Sequence, residues 1–323
     1  MSINTSSCLS KSNYDGEICH LDIFFRVVLM AAIVIISVMS PVAVVGNGLV
    51  FAAIWKNPSL RRAPSYVLLA ALAFTDFCTG FITEPFHVTN LLLVLKDPSV
   101  IIKNKSDYSI NWSWPTYFLI TKVIGEGFLE YFFALTILLV TVMAIERWLQ
   151  MSRQSLMTVR RACKTVAVLS LLPMSVVICY FQLKISIAYF ISYFSFIQLC
   201  LFVTSVAYFK VFKIIRRHQH QISLQQNFAQ PAIDFLKYRR SVFSILLILL
   251  MFYFSYLPMA ILLMIISIHP EKEPSMTIYA VLEVTVVLAF LSSSLNPLLY
   301  MWRIAEIRRE VRQITKRIFC KES

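Results

Sequence analysis

Seven stretches of this chain are apolar over roughly the 20 residues that an α-helix needs to cross a bilayer. They fall at 26–54, 65–94, 116–146, 163–181, 185–210, 241–268 and 275–301. In hydrocarbon every backbone N–H and C=O must be bonded within the protein, and a helix achieves this within itself. The expected fold is therefore an all-α membrane protein, a seven-transmembrane-helix bundle. Several runs exceed the minimum length, so tilt or projection beyond the bilayer is expected. Charged residues are only 15% of the chain, against about 25% in a soluble domain.

The net charge of +13 raises the question of nucleic acid, and its distribution answers it. Lys56, Arg61 and Arg62 lie in the first connection. Arg147, Arg153, Arg160, Arg161 and Lys164 lie around the next connection on that side. Lys210, Lys213, Arg216, Arg217, Lys237, Arg239 and Arg240 lie around the third, and the tail runs basic from Arg303 to Lys321. Alternating connections share one face, so most of the 30 Lys and Arg gather on it. That is the positive-inside pattern. It predicts a multi-pass plasma-membrane protein with an extracellular N-terminus, a cytoplasmic C-terminus, membrane-lipid contacts and no nucleic-acid partner. The glycosylation triplets at Asn4, Asn104 and Asn111 all fall on the outer side. The first apolar run starts near Ile23, too late and too long for a cleavable signal, so span one is expected to direct its own insertion.

Three regions follow: an outer tail at 1–25, the membrane domain at 26–301, and an inner segment at 302–323. In the last, Ile304, Ile307, Val311, Ile314 and Ile318 recur at spacings of three and four between basic residues. This predicts an amphipathic eighth helix on the inner membrane surface. Cys320 after it is a palmitoylation candidate. Cys8 and Cys19 share the outer tail and are open to pairing; Cys78 and Cys200 read as buried thiols.

Polar residues inside spans are costly, about 2.5–3.5 kcal/mol for an Asp at mid-helix. Span two carries Asp76 with no local explanation. Span one has Asn47, span three Thr136, and span seven Ser292, Ser293 and Asn296. Convergence of these side chains at one depth is the economical reading, with room for water alone or a small cation such as Na+ beside Asp76. Pro297 follows Asn296 and removes a helix donor, so the freed carbonyl needs a partner from a neighbouring helix.

These residues form an ordered set: Gly46-Asn47, Leu72-Ala73-Phe74-Thr75-Asp76, Glu146-Arg147-Trp148, Tyr208, Phe254-Ser255-Tyr256-Leu257-Pro258, and Asn296-Pro297-Leu298-Leu299-Tyr300. Over 26 to about 318 the chain resembles a rhodopsin-like (class A) G-protein-coupled receptor. The resemblance implies that Asn296 partners Asp76, that span seven bends there, and that Tyr300 approaches Tyr208 and Arg147 on activation. It implies that Arg147 pairs with Glu146 at rest, that Pro258 kinks span six, and that a heterotrimeric G protein binds inside.

The chain departs from the family at several places. Lys122 stands where the family's third-span cysteine is expected, so the usual disulfide is absent. Ser170 and Cys200 replace a tryptophan and a proline, and Tyr256 replaces the tryptophan of span six. Tyr238 stands where an acid would lock Arg147, which predicts appreciable basal activity. The short connection before span five is similar to the melanocortin, cannabinoid and adenosine-like branch.

Leu129, five turns above Arg147 on one face, replaces the aspartate of amine receptors, and span seven has no lysine for retinal. The acids Glu84, Glu126, Glu130 and Glu283 suggest a cationic, peptide-like ligand. Phe86, His87, Phe128, Phe254 and Tyr256 are candidates for an aromatic lining. A divergent chemosensory or orphan receptor with high basal activity is the alternative within the family. An ion-coupled transporter or channel is the alternative outside it, although no internal repeat is visible. No enzyme is expected: His218 and His220 lack nearby metal ligands, and no nucleophile or phosphate-loop motif occurs.

Overall fold

The computed structural model describes residues 13–96, 116–154, 157–182, 187–225 and 276–319, and residues 250–268 apart from 252, 263, 266 and 267. The described residues fold as helices without strands: α1 (Asn13–Lys56), α2 (Pro64–Lys96), α3 (Thr116–Met151), α4 (Val159–Gln182), α5 (Ile187–Gln225), α6 (Tyr253–Leu262), α7 (Met276–Arg303) and α8 (Ala305–Phe319). By length and composition, α1, α2, α3, α5 and α7 are able to cross a membrane over their described residues. Helices α4 and α6 stand where the sequence expects spans four and six.

Helix α1 shows how a helix that is apolar all round is sorted. Phe25, Leu29, Ala32, Ile36, Met39, Ala43, Asn47, Val50 and Ile54 are buried, and they recur at intervals of three and four. Val27, Met30, Val34, Val38 and Val45 form the opposite stripe and are exposed. An exposed face of valines suits lipid rather than water. The buried stripe carries Ala32, Ala43 and Asn47, and it packs along both α2 and α7.

Helix α2 is interrupted at Thr79–Thr83 by a turn of π-helix. Such a turn inserts one residue and leaves backbone groups imperfectly paired. The Ser40 hydroxyl of α1 donates to the Gly80 carbonyl at 2.8 Å. Gly80 has to be small: a Cβ there would lie 2.8 Å from the Ala43 Cβ and 3.1 Å from the Ser40 carbonyl. The turn therefore sits at a close approach of α1 and α2.

Helix α3 stops at an αL residue, Arg153, with φ of 56°. The Gln154 N–H returns to the Leu149 carbonyl at 2.9 Å, a capping bond of the kind that ends helices. At the end of α7, Arg308 Nη1 donates to the carbonyls of Met301 (3.4 Å) and Trp302 (3.1 Å). Helix α8 then turns away along the bundle. Its expected apolar stripe divides: Ile307 and Val311 are buried in a cluster with Val50, Ile54, Leu72 and Tyr300, whereas Ile318 is exposed. Asn57 pins α8 from the first connection. Its Oδ1 accepts from the Ser59 N–H and its Nδ2 donates to Glu310 Oε1, each at 3.0 Å. The eighth helix thus docks on the bundle over its first turns, more than a surface-lying helix requires.

Candidate functional site

Pro297 has no N–H, so the carbonyl of Ser293, one turn earlier, loses its helix donor. Asn47 Nδ2 of α1 donates to that carbonyl at 2.8 Å, and also to Ala43 O at 3.0 Å. Gly46 makes the room, since a Cβ there would lie 2.7 Å from the Pro297 Cγ. Gly46 and Asn47 are therefore two halves of one device: the first admits the proline ring, the second replaces the bond that the ring removes.

The same turn of α7 faces α2. Ser293 Oγ donates to Asp76 Oδ1 at 3.0 Å and Asn296 Nδ2 donates to Asp76 Oδ2 at 2.7 Å. Asp76 is wholly buried, so these charge-assisted donors replace the water a carboxylate would otherwise hold. Ser292 lies one step away, donating to Ala289 O at 2.7 Å and meeting the Tyr256 hydroxyl at 3.3 Å. Ser294 ties α7 to the Met39 carbonyl at 3.1 Å. Asp76, Asn47, Ser293 and Asn296 thus converge as the sequence leads one to expect. Thr136 is buried, but among the described residues no hydrogen bond joins it to this cluster.

Below this cluster, Arg147, Tyr208, Asn296, Tyr300 and Arg303 line one cleft between α3, α5 and α7. Tyr208 and Tyr300 are both buried. Glu146 Oε1 accepts from Gln150 Nε2 at 2.9 Å, and the same amide donates to Ser65 of α2 at 2.8 Å. Trp148 carries the Lys210 ammonium 4.0 Å above its ring, joining α3 to α5 by a cation–π contact. Higher up, Thr204 donates to Thr141 at 3.1 Å across the same pair of helices.

At the opposite end, two candidate ligand residues meet each other. His87 Nε2 of α2 stands 2.8 Å from Glu283 Oε2 of α7, and the His87 ring lies edge-on to Phe290. Glu84 is 0% exposed, and among the described residues neither carboxylate oxygen has a hydrogen-bond partner. The sequence offers Glu84, at the outer end of span two, as a ligand residue; it directly follows the π turn and is buried in the bundle. Glu126, Leu129 and Glu130 are half-buried on α3, with Leu129 packed against the upper core. Tyr256 is buried edge-on to Phe133. Phe254 departs from expectation: it is 53% exposed, on the outward face of α6 with Ile261 and Ile265. Pro258 lies within α6 and is half-buried. Cys19 lies in the first turns of α1, and Asn4, Asn104, Asn111, Cys8, Tyr238 and Cys320 lie outside the described residues.

Sequence reading missed the π turn and the His87–Glu283 pair. Gly80 in mid-helix was the available signal for the first. Nothing local announces the second, because the partners are 196 residues apart.

The sequence profile of the 7 transmembrane receptor (rhodopsin family) matches residues 123–300. The chain belongs to this family. This rhodopsin-family receptor is also 24% identical to adenosine receptor A2b of Gallus gallus over 329 residues, which takes in 90% of this chain and 89% of that receptor. The family consists of receptors rather than enzymes, in agreement with the absence of an expected catalytic motif. As a rhodopsin-family protein it is a multi-pass membrane receptor, with an outer ligand and an inner G protein as its kinds of partner.

Proposed function

We propose that this receptor couples an extracellular ligand to a heterotrimeric G protein by regrouping α3, α5 and α7 around Arg147. The observation that carries this is the continuous polar path from Asp76, through Ser293 and Asn296, to the cleft shared by Arg147, Tyr208 and Tyr300. A helix that carries a proline and is held by replaceable side-chain bonds has two arrangements within reach. A ligand that prefers one arrangement shifts the population. Coupling of this kind is typically about 1–3 kcal/mol and is reciprocal.

Arg147 is the proposed contact with the G protein, supported by Tyr208 and Tyr300, with Glu146 and Trp148 fixing the end of α3. The N-terminus is read as extracellular and the tail as cytoplasmic, at the plasma membrane. The ligand reading is a cationic, peptide-like molecule received by Glu126 and Glu130, which stand one turn apart and half-buried on α3. A second reading, a purine nucleoside, is favoured by the similarity to adenosine receptor A2b. The test is nucleotide exchange on purified G proteins by the reconstituted receptor, challenged with basic peptides and with adenosine. An Arg147→Ala receptor is expected to reach the surface and fail to drive exchange; exchange at the wild-type rate would remove the assignment.

The buried cluster is also proposed to take Na+. Its donors suit a hard cation: the Asp76 carboxylate, the hydroxyls of Ser292 and Ser293, and Asn47 Oδ1, which is buried without a hydrogen-bond partner. Such an ion would supply a positive charge to the carboxylate. Replacing choline chloride by sodium chloride should then raise the unfolding temperature of the receptor and leave that of Asp76→Asn unchanged.

A further inference from the structure

The inner cleft brings two arginines together, and among the described residues no acid lines it. Arg147 comes from α3 and Arg303 from the last turn of α7, with Tyr208 and Tyr300 beside them. The four are near enough to act on one another electrostatically. Like charges in a partly enclosed space repel more strongly than in water.

Arg303 Nη1 is buried and has no hydrogen-bond partner among the described residues, a costly state for a cationic donor. An arginine at a helix end ordinarily bonds the last carbonyls, but Arg308 already donates to those of Met301 and Trp302. The acids close in sequence are engaged or face solvent. Glu146 accepts from Gln150, Glu310 accepts from Asn57, and Glu306 is exposed.

We propose that the space between Arg147 and Arg303 is an anion site that takes a phosphate monoester group. Guanidinium forks match phosphate oxygens in pairs, and the two phenolic hydroxyls are further donors. A dianionic group neutralises both arginines and satisfies the orphaned Nη1. Two sources share this chemistry: a phosphoinositide headgroup from the inner leaflet and a soluble inositol phosphate. Bound there, the anion tethers α3 to α7 and competes with a partner inserted at Arg147. That consequence rests on the proposed function; the binding does not, because it needs no G protein.

The test uses the full chain in phosphatidylcholine nanodiscs, with and without a phosphatidylinositol bisphosphate, and separately with soluble inositol trisphosphate. Binding is read by native mass spectrometry and by the shift in unfolding midpoint. Arg303→Gln should weaken binding by about tenfold or more. Arg309→Gln, on a side chain 68% exposed outside the cleft, should bind as the wild type does. Arg303→Lys keeps the charge without the fork and should fall between, which keeps the test valid if the glutamine variant folds poorly. Binding of the lipid alone identifies the headgroup as the source, and binding of both identifies phosphate in general. Binding of neither, or equal binding by Arg303→Gln and Arg309→Gln, overturns the proposal.

Discussion

Asn47 supplies the donor that Pro297 withholds from Ser293, which makes the two residues energetically dependent. Removing the amide alone leaves a buried carbonyl without a donor, a loss of about 1–3 kcal/mol. Removing the proline as well restores an N–H to that carbonyl. Asn47→Ala is therefore expected to lower the unfolding midpoint clearly in the wild type and much less in a Pro297→Ala background. A double-mutant cycle on the purified receptor measures the difference; additive losses would show that the amide serves something else. The requirement for this partnership was legible in the sequence, since a proline in a membrane helix demands a replacement donor. Its source was not, because a carbonyl carries no residue-type signature and many side chains can serve it. Gly46 is in the same position: its smallness is visible in the sequence, but the ring it accommodates is 251 residues away in the chain.

Element lengths and types were readable because a membrane span must be long, helical and apolar. The π turn in α2 was not, because its one local signal, Gly80 in mid-helix, fits a close helix approach in a regular helix equally well. Its effect is large. An inserted residue rotates everything beyond it by about 100° relative to an uninterrupted helix, and Glu84 and His87 both lie beyond it. Deleting Phe81, a residue 64% exposed, should restore a regular helix and separate His87 from Glu283. In the intact receptor a cycle of His87→Ala and Glu283→Gln is expected to give a coupling energy of about 1–3 kcal/mol. In the deletion variant the same cycle should give close to zero. Equal coupling in both would mean that the turn has no part in aligning α2 with α7.

For the whole molecule, charge asymmetry gives the direction and the buried acid gives the organisation. The orientation predicts that peptide N-glycosidase shortens the receptor from intact cells, and that changing Asn4, Asn104 and Asn111 together abolishes the shift. A cytoplasmic N-terminus would leave Asn4 unmodified. At this scale the sequence conveyed the helical bundle and the buried polar cluster, because both depend on residue types that a membrane makes costly or compulsory. The outer pocket was less legible. Acids near helix ends are cheap there, and only packing decides which are paired, as Glu283 is, or buried, as Glu84 is.

The central claim is that Asp76 and Asn296 join α2 to α7 as a matched acid and amide, and that their regrouping carries the signal. Nucleotide exchange by a purified G protein, driven by receptors with the residues reversed, tests it most directly. Asn296→Asp sets two carboxylates against each other at one buried contact, and Asp76→Asn removes the charge that holds Ser293 and Asn296. Each single change should depress exchange strongly, and Asp76→Asn with Asn296→Asp together should recover much of it. Single variants that drive exchange as well as the wild type, or a double variant no better than either, would contradict the account.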